Sequence, residues 1–482
     1  MPTLTPAEAR RLDLNAEELG ISVERLMGNA GKALAKVVRR RLPKGARAVF
    51  LCGKGNNGGD GFAAAADLQQ QGLDVLVVLA EPAARIATPA ARVHFRRLAK
   101  GSVERWTGRP RATWGKARVI VDCLLGSGLS GAPRPPYAAM IRWANAQRRH
   151  ARLIACDVPS GLGSPTAFSP HETVTFHARK HGMTAANSGR IQVATIGIPR
   201  AADHDIGIGD LDLAYRRPAW DSHKGDNGIV LVIGGNVPLV GAPHYCAMGA
   251  LRTGADLVHI ATPEAAAKAM RAWSPLPIVH GTEPGDHFTP ISTKGLEDLM
   301  DLCTTVLIGP GLGTRANTRT FAAAALAAAA RRGLPIVVDA DALDALDDDL
   351  LARHGHRMVL TPHAREFLDL AGAPATPANV HAYARKHGVT VLRKSSVDVV
   401  SDGTRTRECR RGHPTLTVGG TGDVLAGITG ALLAKGAPPF EAACAASYLL
   451  KTAGEVAASM RSYGASALDV AEAIPSVLLR LP

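Results

Sequence analysis

The sequence predicts an α/β protein of two domains, each built around a parallel β-sheet. In the first half, helical stretches separate four continuous apolar runs, at 45–53, 73–80, 117–126 and 151–161. Continuous apolar runs are typical of strands covered on both faces, and helical connections between strands imply parallel pairing. A segment rich in Gly, Pro and Asp, 197–225, then interrupts the pattern. We therefore expect one domain over 1–212 and a second over 213–482.

The second half restarts the same alternation of strands and helices. Six further apolar runs predict strands, at 228–235, 255–263, 304–313, 334–343, 357–363 and 389–396. The alanine-rich stretch 318–332 predicts a buried or half-buried helix, because its apolar centre is too short to span a bilayer. Two long helices, roughly 421–435 and 440–459, close the predicted domain.

The cysteines and the first residues indicate a cytoplasmic protein. The seven cysteines form no C-x-x-C pair and their number is odd, so neither a disulfide framework nor structural zinc is expected. The opening MPTLTPAEARRLD lacks the apolar centre of a signal peptide. We therefore expect a reducing cytoplasm as the compartment and no membrane partner.

The basic net charge of the chain indicates which classes of ligand it could bind. A formal net charge of +14 and a pI near 9.7 suit nucleic acid or an anionic metabolite. The arginines are spread along the chain, and aromatic residues make up only 4%, which leaves few platforms for stacking single strands. We expect a solvated basic surface first and a polyphosphate ligand second, with no nucleic acid; a homo-oligomer remains open.

The first glycine-rich turn, LCGKGNNGGDGF, follows a predicted strand and opens a predicted helix. Glycines allow close approach of the backbone to a ligand, and the amides of a first helical turn face an anion. Gly53–Gly61 fits neither the G-x-G-x-x-G dinucleotide motif nor the P-loop. Taken alone, it predicts either a phosphate-binding turn or a simple strand-to-helix connection.

Two acidic residues end neighbouring strands of the same predicted sheet. Asp122 precedes a second glycine-rich loop, GSGLSGA, over 126–132, and Asp157 lies in CDVPSGL. Each aspartate alone is as well explained by a helix cap as by a ligand. Because the carboxyl ends of parallel strands share one edge of a sheet, three such polar ends side by side favour a binding site.

These three motifs, with the opening LTPAEARRLD and ELGISVERLMGNAGKAL, resemble the YjeF N-terminal domain, an NAD(P)H-hydrate epimerase with a Rossmann-like sheet. The resemblance covers about residues 1–212. It implies a K⁺ ion held by Asn57, Asp122 and Ser160, with Asp157 as the acid–base residue. It also implies that the hydrated nucleotides, NADHX and NADPHX, contact Asn56, Asn57, Gly58, Gly59, Asp60, Gly126, Ser127, Gly128, Leu129, Ser130, Gly131, Ala132 and Asp157.

The second glycine-rich turn, TVGGTGDVLAG, places Asp423 in the first turn of a predicted helix. Amides at a helix N-terminus stabilise developing negative charge, and a carboxylate beside them can accept a proton from a hydroxyl. That combination suits phosphoryl transfer to a small molecule. Alone, Asp423 is equally typical of a residue that stabilises a helix terminus.

Its companions are HKGDNGIVLVIGG, GPGLG, DADAL and TPHAREF, and together they resemble the ribokinase-like ADP-dependent NAD(P)H-hydrate dehydratase over about residues 213–482. The resemblance implies Asp423 as the catalytic base, ADP with Mg²⁺ as co-substrate, and AMP and phosphate as products. The residues it implies for the hydrate are Ala242, Gly311, His363 and Asp423. Those it implies for the nucleotide are Lys394, Ser395, Ser396, Val397, Asp398 and Gly422.

Two other functions remain open at this stage. A ribokinase-like kinase for a small molecule, carrying a non-catalytic YjeF-type binding domain, would use the same Gly-Thr-Gly-Asp turn. YjeF-type domains also occur in mRNA-decapping scaffolds, and this chain is basic. The complete set of polar residues in the first half favours the repair enzyme over both.

Overall fold

The chain folds into two compact α/β units, Met1–Arg200 and Ala201–Pro482. The computed structural model describes residues 3–128, 131–282, 284–293 and 295–482. The predicted fold class is confirmed, since each unit contains one largely parallel sheet with helices. The units divide earlier in the chain than 212, because helix Ile208–Ala214 packs Leu211 and Ala214 into the core of the second unit.

The first unit is built on a seven-stranded parallel sheet. Its strands run in the order β3-β2-β1-β4-β5-β6-β7. They are β1 Ala48–Cys52, β2 Val75–Leu79, β3 Val103–Arg105, β4 Val119–Cys123, β5 Arg152–Cys156, β6 Glu172–Phe176 and β7 Arg190–Ala194. The helices are α1 Pro6–Glu18, α2 Val23–Arg41, α3 Asn56–Gln70, α4 Pro89–Phe95, α5 Tyr137–Ala146 and α6 Ala185–Ser188.

Three strands of this sheet, β3, β6 and β7, are not predicted by apolar runs in the sequence. The strands β3 and β7 are short or exposed edge strands, so their residues carry no continuous apolar signal. The strand β6, Glu-Thr-Val-Thr-Phe, is fully buried but polar, because Thr173 donates its hydroxyl to the carbonyl of Ser188 at 2.6 Å. Each of the four predicted runs contains a strand, β1, β2, β4 or β5.

The second unit is built on a nine-stranded sheet in the order β10-β9-β8-β11-β12-β13-β14-β15-β16. Pairing is parallel as far as β14 and antiparallel beyond it. The strands are β8 Ile229–Ile233, β9 Leu257–Thr262, β10 Ile278–Gly281, β11 Thr305–Ile308, β12 Ile336–Val338, β13 Met358–Leu360, β14 Thr390–Arg393, β15 Asp398–Ser401 and β16 Thr406–Cys409. Every one of the six predicted runs contains a strand.

Among the described residues, twelve helices accompany this sheet, and the first begins at the last residue of the first unit. They are α7 Arg200–His204, α8 Ile208–Ala214, α9 Gly241–Arg252, α10 Glu264–Trp273, α11 Leu296–Leu302, α12 Ala316–Arg331, α13 Asp348–His354, α14 Ala364–Ala371, α15 Pro377–His387, α16 Thr421–Ala434, α17 Pro439–Arg461 and α18 Ala467–Leu478. The two long closing helices are confirmed as α16 and α17, and α18 follows them. The alanine-rich α12 buries one side in the core.

Close packing of α9 against α16 fixes the second glycine-rich turn. A Cβ on Gly249 would lie 2.4 Å from the carbonyl oxygen of Val424, and one on Gly427 would lie 2.0 Å from that of Cys246. Only glycine permits these backbone contacts. The start of α16, which carries Asp423, is therefore held against α9.

All seven cysteines are buried free thiols. Within the described ranges, no helix combines the length and apolarity needed to cross a membrane.

Candidate active sites

A cavity of about 940 Å³ opens at the carboxyl ends of the strands in the first unit. Side chains of α1, the glycine-rich turn before α3, and the loops after β4, β5 and β6 line it. The predicted residues in its wall are Asn56, Asn57, Asp60, Gly126, Ser127, Gly128 and Asp157. Two polar strand ends, after β1 and β5, thus share one cavity, at the sheet edge where open α/β folds bind ligands.

The other predicted residues of this region lie around the cavity. Gly58 and Gly59 are buried in the first turn of α3, and Gly131 and Ala132 are exposed in the loop beyond Gly128. Leu129 and Ser130 lie outside the described residues.

The turn before α3 requires glycine for steric reasons. A Cβ on Gly53 would lie 1.9 Å from the carbonyl oxygen of Leu124, and one on Gly58 would lie 2.0 Å from that of Gly53. Gly55 is the N-cap of α3 and has no side chain that could bond the first amides of the helix. The first turn of α3 can therefore donate amides to an anion in the cavity.

Asn57, Asp122 and Ser160 come together beneath this turn. The amide and hydroxyl of Ser160 donate to the two carboxylate oxygens of Asp122 at 2.8 and 2.7 Å. Asn57 donates from Nδ2 to the carbonyl of Leu125 at 3.0 Å, while its buried Oδ1 has no hydrogen-bond partner. Burial raises the pKa of Asp122 to about 6 against the hydrogen bonds from Ser160. The cluster thus offers buried oxygen atoms, one of which lacks a donor.

Asp157 sits in a strained turn at the end of β5. Its φ is +61°, and the amide of Val158 donates to the carbonyl of Cys156 at 2.7 Å, which closes a γ-turn of the rare positive-φ kind. Such strain is held where the surroundings fix it, often at functional sites. The turn presents the Asp157 carboxylate to the cavity.

Lys180 fixes this carboxylate, and the sequence analysis did not identify it. Its ammonium donates to Asp157 Oδ1 at 2.5 Å and to the carbonyl of Phe176 at 2.8 Å. The lysine side chain is only 7% exposed, so the pair is shielded from solvent. Lys180 lies four residues after the end of β6. The sequence could have indicated it only if the polar strand β6 had been predicted as the neighbour of β5.

The second unit places Asp423 in the first turn of α16. Gly420 caps this helix with a φ of +95°, and a Cβ there would lie 2.7 Å from the ring of Tyr245. Burial and, next, the charge of Asp339 raise the pKa of Asp423, Lys394 opposes them, and the net value is about 7. A carboxyl group that ionises near neutrality suits a general base.

Lys394 and Asp339 form a buried ion pair beside Asp423. Lys394 Nζ lies 2.6 Å from Asp339 Oδ1 and 4.0 Å from Glu366 Oε2. Burial lowers the pKa of Lys394, but the charges of Asp339 and Glu366 outweigh it and raise the value. A Cβ on Gly422 would lie 3.5 Å from Lys394 Nζ, which brings these two predicted residues together.

The predicted hydrate contacts lie in two places of this unit. Gly311 has a φ of +70°, and a Cβ there would lie 3.2 Å from the Cβ of Ala242. His363 caps α14, where its Nδ1 accepts from the amides of Arg365 and Glu366 at 3.1 Å each. Its Nε2 lies 3.4 Å from Glu366 Oε1, the carboxylate that also approaches Lys394. Gly311 therefore neighbours Ala242, and His363 neighbours the ion pair.

Hydrogen bonds to Asp398 and from Lys451 fix the predicted nucleotide loop, residues 395–398. Asp398 is buried and accepts from the amide of Ser395 and the hydroxyl of Ser447, at 2.8 Å each. Lys451, from α17, donates to the carbonyl of Ser396 at 3.1 Å and lies 3.3 Å from Asp398 Oδ1. Sequence reasoning missed Lys451, because one lysine in a long apolar helix carries no local signal.

Two family profiles match the chain, one in each unit. Residues 23–182 match the family described as YjeF-related protein N-terminus, and residues 230–476 match the family described as NAD(P)H-hydrate dehydratase.

Relatives named bifunctional NAD(P)H-hydrate repair enzyme match nearly the whole chain. The protein from Hyperthermus butylicus is 36% identical, covering 98% of this chain and 92% of its own. The protein from Pyrobaculum aerophilum is 38% identical, covering 100% and 99%. The protein from Methanothermobacter thermautotrophicus is 37% identical, covering 98% and 95%.

Among solved structures, a ribokinase-like superfamily protein from Enterococcus faecalis is 25% identical with a TM-score of 0.51. It covers 58% of this chain and 97% of its own. A protein from Streptococcus mutans, 23% identical with a TM-score of 0.50, covers 57% and 99% and shares the fold.

Proposed function

This chain belongs to the family of bifunctional NAD(P)H-hydrate repair enzymes, and on that premise we propose how its two sites divide the work. The enzyme repairs hydrated NADH and NADPH. It interconverts the R and S hydrates, and it dehydrates the S hydrate with ADP to give NAD(P)H, AMP and phosphate. We assign epimerisation to the first unit and dehydration to the second.

In the first unit, Asp157 exchanges protons with the hydroxyl at C6 of the hydrated ring or with the water that replaces it. The amides at the start of α3 bind the pyrophosphate, since their N-cap residue, Gly55, has no side chain to bond them. Lys180 fixes the position of the Asp157 carboxylate through a charge-assisted hydrogen bond. The cavity that these groups share supports this division of roles.

We propose that K⁺ binds at Asn57, Asp122 and Ser160. The fit is supported by the orphaned Oδ1 of Asn57, which is buried and lacks a donor, and by the all-oxygen character of the set. A cation there would supply positive charge beneath the glycine-rich turn and favour a bound anion. The residues themselves orient the turn, because Asn57 and Ser160 both hydrogen-bond to Leu125.

In the second unit, Asp423 takes the proton of the C6 hydroxyl, and the oxygen attacks the terminal phosphorus of ADP, which enters as its Mg²⁺ complex. The bond between that phosphorus and AMP breaks. Phosphate then leaves C6 while C5 loses a proton, which restores the ring double bond. The amides at the start of α16 stabilise the charge that develops on the transferred phosphoryl group.

The remaining predicted residues surround this step. We propose that Lys394, Gly422 and the loop 395–398 bind the nucleotide, since Lys394 lies beside Gly422 and Lys451 fixes the loop. Gly311 and Ala242 leave room for the hydrate, because a side chain on Gly311 would collide with Leu239. His363 is proposed as a hydrate contact.

One observation carries the proposal for the second unit: Asp423 has a pKa of about 7 in the first turn of a glycine-capped helix beside Lys394. The experiment is to incubate the protein with pure S-NADHX and ADP, then ATP, and to follow absorbance in the reduced-nicotinamide band. We expect NADH to appear with ADP. A phosphorylated product that accumulates without NADH would identify a small-molecule kinase, and salt-sensitive RNA binding with no turnover would identify a scaffold.

We also propose the cytoplasm as its compartment, which the seven buried free thiols support. That the chain forms a homo-oligomer stays a prediction, which light scattering at several concentrations would test.

A further inference from the structure

A third carboxyl group faces the epimerase cavity from a different element. Asp13 lies on α1 and lines the cavity together with Asp60 from α3 and Asp157 from the end of β5. Its side chain is exposed, and it lines the space of the cavity.

The start of the chain is tied to the segment that carries Lys180. The amide of Leu4 donates to the carbonyl of Arg179, and the amide of His181 donates to the carbonyl of Leu4, both at 2.8 Å. Immediately after this bridge, Thr5 caps α1 in a reciprocal pair of hydrogen bonds with Glu8. These hydrogen bonds fix the start of α1, the helix of Asp13, next to the segment that contains Lys180.

The surroundings of these three carboxyl groups differ. Protein atoms around Asp13 raise its pKa to about 6, the charge of Asp157 adds to the rise, Lys180 opposes it and Glu17 adds a smaller increase. Burial raises the pKa of Asp60 well above its ordinary value, followed by the charges of Asp157 and Asp13. Asp157 instead has an ammonium group 2.5 Å away. Carboxyl groups in such different surroundings can serve as an acid and a base within one cavity.

We propose that Asp13 is the general acid of the epimerase cavity and Asp157 its general base. Asp13 protonates the C6 hydroxyl as the C6–O bond breaks and water leaves, and the ring nitrogen's lone pair forms the C6=N1 bond. A second water then adds to the other face of C6, and Asp157 takes its proton as the lone pair returns to nitrogen. One water is lost and one gained, and solvent exchange returns both carboxyls to their starting states.

This inference rests on the proposed epimerase function, so its test measures epimerisation directly. The full-length chain receives pure R-NADHX without nucleotide, and chromatography separates the R and S hydrates over time between pH 5 and 9. The variants are Asp13→Asn, Asp13→Glu and Asp60→Asn. The matched control is Asp74→Asn, an exposed aspartate of the same unit paired with Arg47. Circular dichroism checks folding of every variant.

We expect kcat/KM of the wild type to fall as pH rises above about 6, where Asp13 loses its proton. Asp13→Asn loses on the order of 10²–10⁴ in kcat/KM together with that alkaline limb. Asp13→Glu retains the limb, and Asp74→Asn behaves as the wild type.

Two results would overturn the assignment of Asp13. One is an Asp13→Asn variant that keeps its rate within about threefold and its alkaline limb, since general acid catalysis contributes far more. The other is loss of the limb in Asp60→Asn alone. A wild-type chain no faster than spontaneous interconversion would instead refute the epimerase function itself.

Discussion

The ionisation of Asp423 makes the dehydratase rate depend on pH in a defined direction. Its pKa is raised to about 7, first by burial and then by Asp339, so the proposed base is mostly protonated at pH 6 and mostly ionised at pH 8. The rate of NADH formation from S-NADHX and ADP should therefore rise about tenfold between pH 5 and pH 6 and level off above pH 8.

Replacing Lys394 with methionine removes the cation that opposes this rise. An opposite charge within ~4–6 Å typically changes a carboxyl pKa by about 1–3 units. Even one unit would lower the ionised fraction of Asp423 at pH 7 from about one half to about one in eleven, a loss of about fivefold. At pH 9 the same change leaves the fraction above about nine tenths, so most of the activity returns.

The assay follows NADH appearance at saturating ADP across this pH range for the wild type, Lys394→Met and the control Lys268→Met. Lys268 is an exposed lysine of α10, far in sequence from the proposed site, and its loss should change nothing. Thermal unfolding checks that Lys394→Met is folded, because the substitution leaves the buried Asp339 without its ion-pair partner. A loss of the same size at pH 7 and pH 9 would refute the electrostatic reasoning and would leave nucleotide binding as the role of Lys394.

Three further predictions use other parts of the molecule. Because the folded-state pKa of Asp423 lies above its ordinary 3.8, the stability it contributes is complete below that value and is lost as pH rises through about 7. Asp423→Asn should therefore raise the free energy of unfolding at pH 8, by up to about 4 kcal/mol, and not at pH 3, as measured by urea titration. Lys180→Met removes the ammonium group that positions the Asp157 carboxylate, so epimerisation of R-NADHX should slow by up to about 100-fold, as misplacement of a catalytic group does, while dehydration of the S hydrate continues. Replacing K⁺ with a bulky organic cation should slow epimerisation and spare dehydration, and equal rates in both media would argue against a cation at Asn57 and Asp122.

The architecture of the sheets was largely accessible from the sequence, because buried parallel strands are continuous apolar runs. The glycine-rich turns were accessible for a similar reason: Gly53 and Gly427 meet backbone atoms so closely that no other residue fits. Local sequence patterns do not show which distant segments pair with each other. The polar strand β6 was missed because the hydroxyl of Thr173 is satisfied by a carbonyl that only the folded sheet provides.

The same distinction between local patterns and distant contacts applies to the site residues. Asp157 and Asp423 stand next to recognisable strand and helix ends, so a pattern indicates them, although their roles stay predictions. Lys180 joins the first cavity through its hydrogen bond to Asp157, and Asp13 lines that cavity from a helix that begins beside the bridge between Leu4 and the segment of Lys180. Their charges alone are typical of exposed helices and loops, which is why the sequence gives no reason to select them.

The central claim is that one chain contains two chemically separate sites for the same damaged nucleotide. Its most direct measurement compares Asp157→Ala and Asp423→Ala on separate samples of R-NADHX and S-NADHX, with ADP, using chromatography for epimerisation and absorbance for NADH. We expect Asp157→Ala to dehydrate the S hydrate at the wild-type rate without accelerating R-to-S conversion, and Asp423→Ala to do the opposite. Loss of both activities in either folded variant would contradict the two-site account.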